Sequence, residues 1–433
     1  MELAEIKAII ERQGIHTVEL GFADINGVLR GKRVSARHFL KTAYQGTALA
    51  RGPLAWDIQC GVYPDTEIAN FENGYPDMLA RPVLSTFRIV AWRDGCAFVL
   101  CDLYDVHGQA LEESPREVLK KVVVRAQALG YRPLVGSELE FYLLDGNKQP
   151  LFQGVQCYSL YKGAQLEYVI EEMRNGLENF GIEVEAFHLE YGPAQIEVIL
   201  EYGDALTLAD HTVLAKNAIK EIARKHGLYA TFMAKPWAEE SGCGYHIHQS
   251  LWDPDLTGNL FHINEELARH YLAGLLYHTR DFMVLGSPSV NSFKRFQGNS
   301  FAPVNVTWAT DNRTAAVRSL LGQGNGSRLE HRTGSADANP YLIVAANLAA
   351  GLYGIEHKLV PPPITATNAC LADAQVLPAD LQQALHYLAK NQVAKDYLGE
   401  KFIQLFLTLG RHEAALYAAA VTDWERERYL EMI

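Results

Sequence analysis

The stretch Gly136-Ser137-Glu138-Leu139-Glu140-Phe141 sets two glutamates two residues apart, with apolar side chains between and after them. Successive side chains of a β-strand point to opposite faces of the sheet. The stretch therefore predicts a strand whose acidic face carries Glu138 and Glu140 while Leu139 enters a core. Three later stretches repeat this pattern.

Those stretches are Gln195-Ile196-Glu197, Tyr245-His246-Ile247-His248 and Arg328-Leu329-Glu330-His331-Arg332. Any single pair with this spacing is usually the solvated face of an ordinary strand, so the repetition is what favours a site. Four such strands side by side would form one polar wall. The wall would carry Glu138, Glu140, Glu197, His246, His248, Arg328, Glu330 and Arg332. Carboxylates crowded away from water repel one another unless cations lie among them, so the wall predicts a site for several metal ions.

Length and charge limit the possible classes of protein. A chain of 433 residues exceeds the usual size of one core, so two domains are expected. The formal net charge of −12 argues against a nucleic-acid partner, because phosphates are bound by Lys and Arg. The longest apolar stretch, 341–355, is too short to span a membrane, and the start does not resemble a secretory signal. Six cysteines without a C-x-x-C pair predict reduced thiols in a cytoplasmic protein.

The chain changes character near residue 105. Before it, an amphipathic helix is followed by short strands, with Asn26-Gly27 as a hairpin turn. After it, Ser114-Pro115-Arg116-Glu117 predicts a capping box that begins a long helix. We therefore predict an α+β fold with a small β domain at 1–105 and a larger domain at 106–433. Amphipathic helices are expected at about 114–130, 164–180, 205–227, 263–280, 340–357, 378–392 and 397–420.

The candidate metal ligands are rich in oxygen. They are Glu138, Glu140, Glu190, Glu197, His246 and Glu330. Such a set suits Mg²⁺ or Mn²⁺ better than zinc or copper, and its size indicates two or more ions. His188 and His211 are lone histidines for which a structural role is the default.

Arginines cluster in the same half of the chain, at positions 295, 313, 318, 328 and 332. A guanidinium group matches phosphate through paired donors, so arginines beside a metal wall indicate phosphoryl transfer. The sequence has no Walker A motif, and the glycine-rich run 322–327 leaves a phosphate cradle and a plain turn equally open. A nucleophile-based hydrolase built on Ser241-Gly242-Cys243-Gly244 is the competing class, but it leaves the glutamates unexplained.

Over nearly its whole length the chain resembles the glutamine synthetase family, and its type I members most. The resemblance lies in the first quoted stretch and in Gly244-Tyr245-His246-Ile247-His248-Gln249-Ser250, Asn291-Ser292-Phe293-Lys294-Arg295 and Asp311-Asn312-Arg313-Thr314-Ala315-Ala316-Val317-Arg318. It implies an N-terminal β-grasp domain followed by a catalytic domain of the glutamine synthetase and guanido-kinase type. It further implies a homo-oligomer, commonly a dodecamer of two hexameric rings, whose active sites are shared between neighbouring subunits.

The resemblance also implies roles for individual residues. Glu140, Glu190 and Glu197 look like ligands of one metal, and Glu138, His246 and Glu330 like ligands of the other. Arg295 and Arg332 look like clamps for the acid substrate, with Gly242 beside it. The nucleotide and phosphate group would comprise Arg313, Arg318, Arg328, His248, Ser250 and Glu185. The implied reaction uses ATP to phosphorylate a carboxylate, after which an amine displaces phosphate to form an amide.

The sequence departs from ammonia-using members at the amine site. In Asn299-Ser300-Phe301-Ala302-Pro303, phenylalanine stands where those members have a glutamate that attracts ammonium. An aromatic ring offers apolar contact instead of charge, so an organic amine is the expected nucleophile. Asp57 still matches the aspartate that helps to deprotonate the amine. Trp56, Asp57, Tyr158 and Phe301 form the candidate amine pocket, with simple packing as the alternative for Trp56 and Phe301.

These observations favour an ATP- and Mg²⁺-dependent ligase that joins glutamate to an organic amine, similar to the glutamate–polyamine ligases of amine catabolism. Ser241 replaces an asparagine that contacts glutamate in typical members, so other acids stay open. A glutamine synthetase that uses ammonium is the nearest alternative. A non-catalytic scaffold relative is the third.

Overall fold

The N-terminal part of the chain folds around one mixed sheet. The computed structural model describes residues 1–298 and 300–433, so Asn299 of the predicted amine-pocket loop lies outside the described residues. This part contains α1 (Leu3–Gln13), β1 (Thr17–Ala23), β2 (Leu29–Ser35), α2 (Ala36–Thr42), β3 (Thr47–Ala50), α3 (Gly52–Ala55), β4 (Asp77–Pro82), β5 (Arg88–Ile89) and β6 (Cys96–Asp105). The strand order is β2-β1-β6-β4-β3, with β5 also paired to β6. Strands β1 and β6 run parallel and the other pairs run antiparallel.

The predicted hairpin at Asn26-Gly27 is confirmed, since β1 and β2 pair antiparallel around it. Gly27 has a φ of 74°, a left-handed conformation that glycine adopts without steric cost. The Asp24 carboxylate accepts hydrogen bonds from the backbone N–H groups of Asn26 and Val28, at 2.9 Å each. The buried Asp24 carboxylate therefore stabilises the turn.

The second sheet has eight strands. They are β7 (Arg132–Leu144), β8 (Val184–Leu189), β9 (Gln195–Asp204), β10 (Tyr229–Thr231), β11 (Tyr245–Trp252), β12 (Trp308–Thr310), β13 (Val317–Leu320) and β14 (Arg328–His331). Their order is β12-β13-β14-β11-β7-β9-β8, with β10 beside β7. The strands that carry the repeated pattern are β14, β11, β7 and β9, which are consecutive neighbours. The prediction that they lie side by side is confirmed.

The interleaved apolar residues point away from the polar wall, as predicted. Leu139, Ile196, Ile247 and Leu329 are all fully buried, with no more than 1% of their surface exposed. The same part of the chain has eleven helices among the described residues. They are α4 (Pro115–Ala128), α5 (Leu160–Gly163), α6 (Glu167–Asn179), α7 (Ala205–Lys225), α8 (Leu260–Ile263), α9 (Glu265–Gly286), α10 (Pro340–Glu356), α11 (Leu381–Lys390), α12 (Gln392–Leu398), α13 (Glu400–Ala419) and α14 (Asp423–Tyr429). Of these, α4, α6, α7, α8 and α9 contact strands of the sheet.

The seven helices predicted for the second domain are all present, but details differ. The predicted capping box is wrong, because the Ser114 side chain accepts no hydrogen bond although the helix does begin at Pro115. Proline at the first helical position still favours a helix start there, because its fixed φ suits the first turn. Helices α5, α8, α12 and α14 were not predicted, since each is only four to seven residues long. None of the helices in the described ranges combines the length and hydropathy needed to cross a bilayer.

The two sheets are joined by buried polar contacts. The Arg116 guanidinium on α4 binds Asp102 on β6 at 2.6 Å and Asp210 on α7 at 2.8 Å. The amide of Asn339 donates to the backbone oxygen of Asp24 at 2.9 Å. Strand β6 ends at residue 105 and α4 begins at 115, so the boundary that we propose, between residues 105 and 106, falls in the connecting segment.

Candidate active site

Glu138 lies at the centre of the polar wall, between two histidines of the neighbouring strand. Its Oε1 is 2.8 Å from His248 Nε2 and its Oε2 is 3.3 Å from His246 Nδ1. The pairing of β11 with β7 sets His246 directly opposite Glu138. Burial would raise the pKa of Glu138, but the two imidazoles outweigh it and hold the pKa far below its usual range. The carboxylate is therefore charged and ready to bind a cation.

Glu330 is fully buried and lies between two arginines. Arg318 Nη1 donates to one carboxylate oxygen at 3.0 Å, and Arg332 Nη1 donates to the other. His246 Nδ1 is 3.6 Å from the same carboxylate. Burial would raise the pKa of Glu330, but Arg332 and the histidines lower it to about 2. Glu330 thus joins the metal-ligand candidates to the arginine candidates.

Within the described residues, three groups of side chains bring their ligand atoms within 4.8 Å of one another. They are Glu138–His248–Glu330, Glu138–Glu197–His246 and His188–Glu190–Glu197. Every predicted ligand except Glu140 takes part in one of them. Carboxylate oxygens with a minority of imidazole nitrogens suit Mg²⁺ or Mn²⁺, so the donor set fits the predicted ions.

Glu140 lies on the same strand face but is held by other partners. Its Oε2 accepts hydrogen bonds from the Gly244 N–H at 3.0 Å and from the Gln195 amide at 2.8 Å. Burial and the neighbouring Glu190 raise the pKa of Glu140 to about 7. Burial and the surrounding carboxylates also raise the pKa of Glu197. A divalent cation among these acids would remove the repulsion that raises both values.

His188 lies beside two of the candidate metal ligands, whereas a structural role is the default prediction for it. Its Nε2 is 3.2 Å from Glu190 and 3.3 Å from Glu197. The signal was present in the sequence, because His188 and Glu190 are two residues apart like the quoted pairs. The other lone histidine, His211, lies away from the site and accepts a hydrogen bond from Arg88 at 2.7 Å.

The two predicted clamps for the acid lie at the end of the wall. Arg295 is buried, and its guanidinium donates to the backbone oxygens of Gly334 at 2.6 Å and Arg332 at 3.2 Å. Burial lowers the pKa of Arg295 to about 10, so the group stays cationic at neutral pH. A Cβ on Gly242 would lie 2.5 Å from Arg295 Cγ, so only glycine fits there. Arg295, Arg332 and Gly242 are thus brought together as expected.

The predicted nucleotide group is gathered only in part. Arg328 donates to His248 Nδ1 at 3.1 Å and to the Gly326 backbone oxygen at 3.0 Å. The glycine-rich run therefore makes a turn that contacts Arg328. Ser250 is buried farther along the same strand as His248, where it accepts a hydrogen bond from Trp252. Arg313 is exposed, and Glu185 is exposed on β8 without a hydrogen bond or ion pair among the described residues.

The four residues of the predicted amine pocket do not come together within one chain. The Tyr158 ring stacks on His188 with centroids 4.6 Å apart, and the backbone oxygen of Phe301 accepts a hydrogen bond from Arg332 at 3.4 Å. Both residues therefore lie at the wall. Trp56 and Asp57 do not contact the wall residues in the described part of the chain.

Asp57 instead makes its contacts within its own loop and lies near α13. Its carboxylate accepts hydrogen bonds from the Tyr63 hydroxyl at 2.5 Å and from the Gly61 N–H at 2.7 Å. Burial opposes ionisation, but these donors lower the pKa of Asp57. The Tyr63 ring stacks on His412 of α13 at 3.9 Å, and Asp57 lines a cavity of about 770 Å³ together with Glu413.

The competing hydrolase interpretation loses support. Cys243 is fully buried, and burial together with the Glu140 charge raises the pKa of its thiol well above the usual value. A thiol held neutral in this way is a poor nucleophile. The Gln195 amide donates to the Cys243 sulfur at 3.6 Å. An amide cannot act as the base that would activate a thiol.

Comparison with known proteins agrees with this geometry. Residues 112–429 match the family model described as glutamine synthetase, catalytic domain. A glutamate–isopropylamine ligase from Pseudomonas sp is 36% identical over 454 residues, covering 100% of this chain and 98% of the relative. A γ-glutamylethanolamide synthetase, GlnA4, from Streptomyces coelicolor is 35% identical over 441 residues, covering 99% and 95%. A solved structure described as apo GmaS without ligand is 30% identical, with a TM-score of 0.88 over 98% of this chain and 99% of that one.

The fold and the matching sequences define an ATP-dependent ligase, which confirms the predicted class of enzyme. The chain belongs to the glutamine synthetase family. The predicted family and α+β fold, with a β domain before the catalytic domain, are thereby confirmed.

Proposed function

We propose that this chain is an ATP- and Mg²⁺-dependent ligase that joins the γ-carboxylate of glutamate to an organic amine. The observation that carries the proposal is the four-strand wall, where Glu138, Glu330 and their histidines lie against two arginines. One relative is named a glutamate–isopropylamine ligase, and another is named a γ-glutamylethanolamide synthetase. Carboxylates that hold cations beside guanidinium groups are what transfer of a phosphoryl group between anions requires.

The residues divide the work in the proposed reaction. Bound Mg²⁺ or Mn²⁺ would be held by the three carboxylate–histidine groups, where it would neutralise the phosphates of ATP. Arg295 and Arg332 would orient the glutamate, so that its γ-carboxylate oxygen attacks the γ-phosphorus and ADP leaves. The amine nitrogen then attacks the acyl carbon of γ-glutamyl phosphate, and inorganic phosphate leaves. Arg318 and Arg328 would hold the phosphate charge, with His248, Ser250, Arg313 and Glu185 completing the nucleotide group that we propose.

The amine must lose a proton during its attack, and Asp57 is the acceptor that we propose. Its ionised state fits the task, since Tyr63 and two backbone N–H groups stabilise the charge. Asp57 forms its hydrogen bonds with Gln59, Gly61 and Tyr63 rather than with wall residues. We therefore propose that the partner subunit's Asp57 completes the site. This requires a homo-oligomer, for which we propose the dodecamer of two hexameric rings.

Release of phosphate tests the proposal. The protein is incubated with ATP, Mg²⁺ and glutamate, and phosphate is measured over a panel of ammonium, ethanolamine, isopropylamine, putrescine and benzylamine. We expect at least one organic amine to give a kcat/KM at least tenfold above that of ammonium. Aspartate replaces glutamate in a control reaction, because Ser241 stands where typical members have an asparagine that contacts glutamate.

Two outcomes would contradict the proposal. Ammonium at millimolar concentration equal to the best amine would make the chain a glutamine synthetase. A protein that binds no ATP in the presence of Mg²⁺, measured by calorimetry, would be the scaffold relative.

A further inference from the structure

Two aromatic rings face each other at the edge of the polar wall. The ring centroids of Tyr191 and Phe301 are 5.1 Å apart, with 57° between the ring planes. Their residues are nevertheless 46% and 50% exposed. Large aromatic side chains usually gain stability by burial, so a half-exposed pair beside a polar site offers apolar surface to something else.

The backbone fixes where this pair lies. Tyr191 directly follows Glu190, and its N–H donates to the Glu190 carboxylate at 3.1 Å. Phe301 is joined through its backbone oxygen to Arg332, 3.4 Å away. One ring is therefore attached to the group His188–Glu190–Glu197 and the other to the arginine expected to clamp the acid. A molecule that approaches the bound acid from this edge must pass the two rings.

We propose that Tyr191 and Phe301 together form the apolar wall of the amine subsite, which makes Tyr191 a specificity-determining residue. The inference rests on the proposed function and adds the class of substrate. Amines with an apolar substituent of about three carbons or more gain contact with both rings. Ammonium gains nothing there, and a hydroxylated amine such as ethanolamine must leave part of its hydroxyl hydration behind.

A third ring supports the same assignment. Tyr158 stacks on His188 at 4.6 Å, and its backbone N–H donates to the Leu189 oxygen at 3.0 Å. Tyr158 is 65% exposed and thus also presents apolar surface beside Glu190. Three aromatic side chains therefore lie near the Glu190 carboxylate. Their apolar surface is what would let a site rich in charge prefer an apolar amine.

The test compares Tyr191→Ala and Phe301→Ala with the wild-type holoenzyme. Initial rates of phosphate release are measured at saturating ATP and glutamate with ammonium, methylamine, ethanolamine, isopropylamine and butylamine. We expect kcat/KM for isopropylamine and butylamine to fall about tenfold in each variant. The values for ammonium and methylamine should stay within threefold, and so should KM for glutamate and ATP.

Further variants separate contact from structural damage. Tyr191→Phe keeps the ring and should retain the amine preference, whereas Tyr44→Ala removes a tyrosine exposed elsewhere and should change nothing. The double variant should lose less than the product of the single losses, because the two rings act as one surface.

Different results would refute the role of Tyr191 and the proposed function. If wild-type protein uses amines but Tyr191→Ala lowers kcat/KM for every nucleophile equally, the residue only supports Glu190 and the inference is refuted. Unchanged selectivity in Tyr191→Ala refutes it as well. If no amine supports phosphate release by the wild-type protein, the proposed function itself fails.

Discussion

Replacing Glu330 by glutamine removes one charge from the centre of the wall while keeping the shape of the side chain. In the wild-type protein the carboxylate accepts hydrogen bonds from Arg318 and Arg332 and lies 3.6 Å from His246. The amide can accept one of the two hydrogen bonds, but it leaves Arg332 without its ion-pair partner and Arg318 with Asp311 alone. We expect Glu330→Gln to weaken Mn²⁺ binding and phosphate release together.

The magnitude follows from the geometry of the ion pairs. Charges 3.0 Å apart, as in Arg318 and Glu330, attract each other by about 5 kcal/mol at an effective dielectric constant of 20. Loss of one partner of a buried pair typically costs about 3–5 kcal/mol. Because the amide keeps part of the interaction, we expect the free energy of unfolding to fall by about 3 kcal/mol. Mn²⁺ affinity and rate should fall separately by up to about 10²-fold, because a charged ligand candidate is lost.

Two assays measure the effect. Mn²⁺ affinity is determined by electron paramagnetic resonance or calorimetry, and phosphate release is measured with ATP, glutamate and the best amine. Glu330→Asp keeps the charge with a shorter reach and should lose less. Glu172→Gln is the control, because this glutamate forms its ion pairs with Lys225 and His226 far from the wall. If Glu330→Gln keeps both values within threefold of wild type, the metal assignment is refuted.

Three other predictions address the amine site and the domain contact. Phe301→Glu should raise the ratio of kcat/KM for ammonium to that for isopropylamine at least tenfold; Phe301→Leu is the control, and an unchanged ratio would refute the pocket. Asp57→Asn should lower amine-dependent phosphate release about 10²-fold with ATP affinity unchanged, and full activity would exclude a proton-transfer role. Burial and Arg88 lower the pKa of His211 to about 4, whereas the unfolded chain takes up that proton below about 6.5. The unfolded state thus binds more protons between these values, so the free energy of unfolding should fall by about 2 kcal/mol from pH 7 to pH 5. Urea unfolding measures this loss, and His211→Gln should remove it; equal pH dependence in both proteins would contradict the assignment.

The sequence predicted the wall because its signal is local. Residues two apart on a strand share a face whatever surrounds them, so Glu138, Glu140, His246 and His248 could be placed on one face without knowledge of the partners. The same rule places His188 and Glu190 on one face, because they are also two residues apart. Local rules also predicted the hairpin at Asn26-Gly27.

Contacts between distant segments were beyond such rules. Glu140 has the spacing of a metal ligand, yet the Gly244 N–H and the Gln195 amide hold one of its oxygens. Tyr191 attracts no notice in the sequence, and only the fold sets its ring 5.1 Å from Phe301. Trp56 and Asp57 are predicted to share a pocket with Phe301, but Asp57 makes its hydrogen bonds with Gly61 and Tyr63 instead.

The amino-acid sequence alone was enough to predict which strands are acidic and which residue types line the wall, and from these a chemistry of cations and phosphate. Periodicity and composition suffice for this, because they depend on neighbours along the chain. Strand order and packing set which carboxylates come within reach of one another, which are paired with arginine and which aromatic rings pair beside Glu190. Those outcomes depend on strand order, register and side-chain packing across 433 residues, and each is fixed by contacts that no short stretch contains.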